Sequence, residues 1–203
     1  MKKAVNSNVL VFDGMHSKVI ALDALSLAIK LFPIKLEYNA LKEYELLQIL
    51  NKSGIECVPK IYGLVKTENA VLLVKSYIKG EYFYDFLEER DIKEIADVLK
   101  KLIMCLHKID KIGVIIKELS SPRKNIIISD GKPFIIDLER WVREAKKTNI
   151  TQFLGFIYKA TLRNDKVGSK LRAIINTETI LETARKYKEK MEVNEIPKKI
   201  FKK

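Results

Sequence analysis

Residues 125–137 are the most constraining stretch of this chain. Asn125-Ile-Ile-Ile, the polar turn Ser129-Asp130-Gly131-Lys132 and the run Pro133-Phe134-Ile135-Ile136 set two β-branched segments around an Asp-Gly pair. That pattern specifies a β-hairpin. An antiparallel return brings Asn125, at the mouth of the first strand, and Asp137, at the end of the second, to the same edge of the sheet. Glu118 stands in a loop just upstream. Two carboxylates and an amide on one rim suit a hard cation beside phosphate, because Mg²⁺ takes few protein oxygens and completes its shell with water and substrate oxygens. The plain alternative is a buried hairpin with solvated acids at its ends.

The remainder of the chain must supply a core for that hairpin. At 203 residues, 47% of them hydrophobic and 32% charged, the chain is long enough for one domain or one fold of two small lobes. No apolar run approaches a membrane span, and Met1-Lys2-Lys3 has no signal-peptide core behind it. These features lead us to expect a soluble cytoplasmic protein without a membrane partner. Cys57 and Cys105 sit in apolar contexts without metal-ligand spacing and read as reduced core thiols. The formal net charge of +12 permits an acidic partner such as RNA or an acidic protein face. Its lysines are spread along the chain, many at helical spacing on polar faces, so solubility accounts for most of them and nucleic-acid binding is not favoured. Lys198-Lys199 and Lys202-Lys203 read as part of a frayed tail.

In chain order, strands are expected at Val9–Phe12, Val19–Leu22 and Leu27–Phe32, then a helix over residues 36–50 with Leu36, Ala40, Leu41, Tyr44, Leu47 and Leu50 on one stripe. Glu43 lies beside that stripe. Strands Ile61–Val65 and Val71–Val74 follow, and Gly80 marks a crossing. From there the pattern is mostly helical. Tyr82–Glu89 forms a short helix, and Asp91 with Glu94 opens a capping box. Ile95, Val98, Leu99, Leu102, Ile103, Leu106 and Ile109 then make a long apolar stripe, with His107 near its end as a structural residue. Val114–Ile116 is a short strand. A helix is expected from about Thr148 to Leu162, broken by residues 164–168, and a last one from about Thr179, with Glu182 as its capping partner, to Met191. The fold class is α+β: a five-stranded antiparallel sheet with one helix (residues 1–79), then a mainly helical part (residues 80–203), in one domain.

The order of an acid (Glu118), an amide (Asn125), a hairpin and a second acid (Asp137) resembles the catalytic loop and metal-binding segment of the protein-kinase-like superfamily. The resemblance covers about residues 8–160. Within it, Lys117-Glu118-Leu119-Ser120 and Asp137-Leu138-Glu139 are similar to signatures of small archaeal Ser/Thr kinases related to the Rio and KEOPS-complex kinase groups. The chain departs from ordinary kinases in having Glu118 for the usual Asp, Ile116 for the preceding His, and Leu138-Glu139 for Phe-Gly. Seven positions separate Glu118 from Asn125, two more than usual, and no long activation segment follows Glu139.

The resemblance implies a bilobal minimal kinase fold, ATP and Mg²⁺ (or Mn²⁺) as cofactors, and a protein Ser/Thr hydroxyl as acceptor. It assigns Glu118 to orient the acceptor hydroxyl and accept its proton, and Asn125 and Asp137 to hold the metal. Lys30, ending Ala28-Ile29-Lys30, contacts ATP phosphates and is held by Glu43, for which Glu37 and Glu45 are rivals. The loop Gly14-Met15-His16-Ser17 covers the phosphates, with Gly14 and Ser17 as its contacts. Val74 backs the adenine pocket, and Lys75 to Tyr77 offer main-chain groups to the base. Lys117 and Lys124 are candidates for the γ-phosphate or ordinary loop lysines. The competing functions are a nucleotide-binding pseudokinase acting as scaffold or regulator, and an ATPase or small-molecule kinase on the same fold.

Overall fold

The structure is a computed structural model. It describes residues 2–6, 9–14, 17–143 and 147–202, the first stretch by its backbone alone. The fold is α+β and divides into two compact units, residues 1–79 with 134–140, and residues 80–133 with 141–203.

The first unit is built on an antiparallel sheet of β1 (Lys2–Asn6), β2 (Val9–Asp13), β3 (Lys18–Leu22), β4 (Leu27–Pro33), β5 (Ile61–Lys66) and β6 (Ala70–Ser76). The spatial order is β1-β2-β3-β4-β6-β5. The five expected strands are present, and β1 adds a sixth at the edge by pairing Lys2 with Phe12 and Ala4 with Leu10. Lys2-Lys3-Ala4-Val5-Asn6 lacks the apolar alternation of a half-buried strand, so nothing in its pattern announces it. Strand period 2 sets the two faces. Ala28, Lys30 and Phe32 of β4 are buried with Val71, Leu73 and Lys75 of β6, while their alternating neighbours are only half-buried.

The helix α1 (Glu37–Lys52) buries Ala40, Glu43, Leu46, Leu47 and Leu50. The apolar stripe is therefore rotated from the expected one. Leu41 is exposed, Leu46 takes the inward place, and Glu43 lies within the buried face rather than beside it.

In the second unit β7 (Glu81–Tyr82) leads into α2 (Phe83–Glu89) and α3 (Ile92–Lys111). The Asp91 carboxylate accepts from Lys93 and Glu94 main-chain N–H groups at 2.8 and 2.9 Å, and Glu94 accepts from the Asp91 N–H. The expected capping box is thus formed. Every residue of the expected α3 stripe is buried. After β8 (Val114–Ile116) the hairpin is β9 (Ile126–Ser129) and β10 (Lys132–Ile135). Asp130 and Gly131 turn it with φ of 48° and 68°, the left-handed geometry that Asp-Gly favours in two-residue hairpin loops. β11 (Trp141–Arg143) pairs antiparallel with β8. A Cβ on Gly80 would stand 2.2 Å from the Ile128 carbonyl oxygen. Gly80→Ala is expected to destabilise the protein by about 1–3 kcal/mol, read as a lower urea midpoint.

Four helices complete this unit: α4 (Asn149–Thr161), α5 (Lys166–Ile174), α6 (Ile180–Lys190) and α7 (Glu195–Ile200). Three of them differ in part from the expectation. The expected break after α4 is present at residues 162–165, but Lys166 to Gly168 already belong to α5, which Asp165 caps by accepting from the Gly168 N–H at 2.8 Å. Lys198 and Lys199 lie in α7, anchored by buried Ile196 and Ile200, and not in a frayed tail. Thr179 makes no side-chain cap with α6, and Glu182 pairs with Lys186 instead.

The cysteines also differ from expectation. Neither is a free thiol, and Cys57 and Cys105 are both disulfide-bonded. Apolar context and spacing do not fix the oxidation state of a thiol, and the argument from reduced thiols to a reducing compartment falls with it. No helix among the described residues is long and apolar enough to cross a membrane.

Candidate functional site

The polar centre of the first unit is a cluster that its own strand and helix periods converge on. Lys30 on β4 and Lys75 on β6 point to the face covered by α1. Glu43 comes down from α1 between them, fully buried. Lys30 Nζ donates to Glu43 Oε2 at 2.7 Å, and Lys75 Nζ donates to the other oxygen, Oε1. Each carboxylate oxygen therefore holds one lysine. Burial by itself pushes the Glu43 carboxyl up, but the two ammonium groups outweigh it and hold its pKa below the ordinary value. Burial likewise pulls Lys30 down, and Glu43, Asp137 and Glu139 together more than reverse this, so its pKa is raised.

The rivals of Glu43 are elsewhere. Glu37 pairs with Lys66 at the surface and Glu45 is exposed.

The segment that follows β10 closes the cluster. Lys30 Nζ donates to Asp137 Oδ1 at 3.0 Å and lies 3.9 Å from Glu139 Oε1. Asn39, one helical turn before Glu43 on α1, donates to Glu139 Oε2 at 3.0 Å, as residues four apart share a helix face. Lys75 Nζ also donates to the Ile136 carbonyl at 3.0 Å, immediately before Asp137. Leu138 is fully buried and anchors the segment.

Sequence reasoning placed Lys30, Glu43 and Asp137 here and missed Asn39, Glu139 and the side chain of Lys75. The only available signal was the four-residue spacing of Asn39 and Glu43.

The expected base-binding residues fall on both faces of the sheet. Val74 pairs with Ile29 and so lies on the sheet face opposite Lys30, because alternate residues of a strand point to opposite faces. Lys75, paired with Ala28, is the residue on the Lys30 face, and its side chain rather than its main chain enters the cluster. The main-chain donors next to it are engaged: Ser76 N–H donates to the Lys60 carbonyl at 2.8 Å and Tyr77 N–H to the Ser26 carbonyl at 2.9 Å. β6 runs on to Ser76, so the sheet takes up groups that the sequence reading left for a ligand. In the expected phosphate loop, Gly14 N–H donates to the Ser17 carbonyl at 2.9 Å. Met15 and His16 lie outside the described residues.

The second unit holds the other two candidates. Residues 117–120 form a 3₁₀ turn pinned by fully buried Leu119. Asn125 Nδ2 donates to Glu118 Oε2 at 3.0 Å, so the two residues meet despite the longer loop. This bond uses the amide nitrogen of Asn125, whereas a hard cation requires the amide oxygen.

The donor chemistry fits Mg²⁺. In the first-unit cluster two ammonium groups, Lys30 and Lys75, face three carboxylates, Glu43, Asp137 and Glu139, a formal surplus of one negative charge (2 − 3 = −1). Asp137 has a side chain 37% exposed and is the accessible member. Among the described residues no group of three or more His, Cys, Asp or Glu is arranged to hold a metal by itself, and Mg²⁺ needs only one or two carboxylates with substrate oxygens. No protein-family model matches the sequence, and no curated protein matches it.

Proposed function

We propose that the protein carries out ATP- and Mg²⁺-dependent phosphoryl transfer to a Ser or Thr hydroxyl of a protein. The observation that carries this reading is Lys30 held between buried Glu43 and the accessible Asp137. A lysine kept cationic on the floor of a sheet, next to a carboxylate that a metal can share, is the arrangement needed to neutralise a polyphosphate. Bound Mg²⁺ would supply charge neutralisation for the transferring phosphoryl group. In this reading Asp137 is a protein ligand of the metal and Lys30 meets the ATP phosphates; the resemblance alone gives Asn125 as a further ligand and Glu118 as the residue that orients the acceptor hydroxyl and takes its proton. The resemblance to small atypical kinases points the same way.

A second reading, a nucleotide-binding pseudokinase, is favoured by the Lys30–Asp137 contact, because a carboxylate engaged by an ammonium group binds a metal less strongly.

The test is incubation with γ-labelled ATP and Mg²⁺ or Mn²⁺, alone and with generic acidic and basic proteins. Label transfer by the wild type is expected to fall about 100-fold or more in Asp137→Ala. Equal transfer by both proteins would remove Asp137 from the chemistry. No transfer, with ATP still raising the melting temperature, would favour the pseudokinase.

A further inference from the structure

The loop that carries Glu118 and Asn125 is strongly cationic. Lys117, Arg123 and Lys124 are all exposed, and none makes an ion pair with a carboxylate among the described residues. Arg123 is nevertheless ordered by an aromatic partner, its guanidinium lying 4.8 Å from the ring centroid of Tyr84 on α2. A second guanidinium, that of Arg163 after α4, lies 5.2 Å from the same ring. Two like charges over one ring repel each other, and the structure compensates only one of them. Asp165 Oδ2 accepts from Arg163 at 2.6 Å and from the Tyr84 hydroxyl at 3.5 Å.

We propose that Arg123 and Arg163, arrayed on Tyr84, form the docking site for an acidic polypeptide segment, so that the acceptor Ser or Thr is flanked by Asp or Glu. This rests on the reading of Glu118 as the residue that orients the acceptor hydroxyl. Asp165 is a carboxylate already seated on one half of the pair. Arg123 offers the same planar fork to a carboxylate from outside, and guanidinium geometry matches carboxylate oxygens two at a time. Stacking on Tyr84 restricts the side chain before binding and so lowers the entropy lost on docking. Over Lys117, Glu118, Arg123, Lys124, Arg163 and Asp165, four positive groups oppose two negative ones, a formal +2. A basic segment is repelled there, which provides discrimination as well as attraction.

The test measures binding without nucleotide or metal. Fluorescence anisotropy of the full chain at about 0.15 M ionic strength compares a labelled peptide of Glu residues around one Ser, its Lys counterpart and a length-matched single-stranded RNA. The Glu peptide is expected to bind at least about tenfold tighter than the Lys peptide. The variant Arg123→Ala with Arg163→Ala is expected to lose about tenfold, whereas Lys188→Ala with Lys190→Ala, which removes the same charge from exposed positions of α6, changes binding less than about twofold. Arg123→Lys keeps the charge and the fold and is expected to lose part of the affinity.

Equal losses in the Arg and Lys pairs would reduce the effect to net charge and overturn the proposal. RNA bound more tightly than the Glu peptide, with the same Arg dependence, would overturn it in favour of a nucleic-acid surface. Label transfer without selective peptide binding sinks this inference alone, and selective binding without transfer leaves it standing while the kinase reading fails.

Discussion

Glu43→Ala is expected to lower the unfolding free energy by about 3–5 kcal/mol, measured by urea denaturation near neutral pH. The substitution removes the only group among the described residues that pairs with both Lys30 and Lys75, each of them 6% exposed, and leaves two ammonium groups in a low-dielectric interior. Lys30 keeps Asp137 at 3.0 Å, while among the described residues Lys75 keeps only the Ile136 carbonyl, so Lys75 is the more costly orphan. That asymmetry gives an internal control. Adding Lys75→Met to Glu43→Ala is expected to recover a large part of the loss, since an apolar side chain of similar volume has no charge to desolvate. A single variant that loses less than about 1 kcal/mol would mean that water reaches the cluster and relieves the stranded lysines.

The pH dependence has a definite sign. The folded pKa of Glu43 lies below its unfolded value, so its ionic contribution is fully present above the ordinary Glu value of about 4.3. It is lost as pH falls through the folded value. The gap between wild type and Glu43→Ala should therefore be largest near neutrality and close in acid.

The same cluster shows what a sequence can disclose and what it cannot. Elements with a strong local period were legible: the alternation in β2 to β6, the α3 stripe with its Asp91 cap, and the Asp-Gly hairpin all formed where their patterns pointed. Lys30 and Glu43 could be picked out because one ends a strand and the other lies near a helix stripe, in a recognisable order. Lys75 could not, because its burial depends on facing Glu43 across 32 residues of chain, and a lysine in a strand ordinarily reads as a solvent group. Which of Val74 and Lys75 shares the Lys30 face depends on the β4–β6 register, and a one-residue error exchanges the faces. Glu139 looked like a departure from a motif until Asn39 and Lys30 were seen beside it. The elements that were missed, β1, β7, β11, α5 and α7, are short or edge elements whose partners, not their own patterns, make them form.

Asp110→Ala is expected to destabilise the protein by about 3–5 kcal/mol, for a reason different in kind. Asp110 is 5% exposed on α3 and pairs with no cation among the described residues. It gathers four donors instead. Oδ1 accepts the Asn149 main-chain N–H at 2.7 Å and its Nδ2 at 2.8 Å. Oδ2 accepts the Ile150 N–H at 3.2 Å and the Tyr187 hydroxyl at 3.1 Å. Two of these donors are first-turn N–H groups of α4, which have no partner within the helix. Tyr187 passes the network on to His107 Nδ1 at 2.9 Å, and Asn149 passes it to the Ile116 N–H and the Val114 carbonyl. One carboxylate thus ties α3, α4, α6 and β8 together.

Burial pushes its pKa up, and the four donors only partly offset that. The contribution of Asp110 is therefore greatest below the ordinary Asp value of about 3.9 and declines as pH rises through the raised folded value, the opposite sense to Glu43. Asp110→Asn keeps one acceptor oxygen and removes the titration. It is expected to cost less than Asp110→Ala and to flatten the fall in stability between acid and neutral pH. Urea midpoints of wild type, Asp110→Ala and Asp110→Asn across that range decide the matter. An Asn variant that retains the wild-type slope would show that the slope belongs to another group.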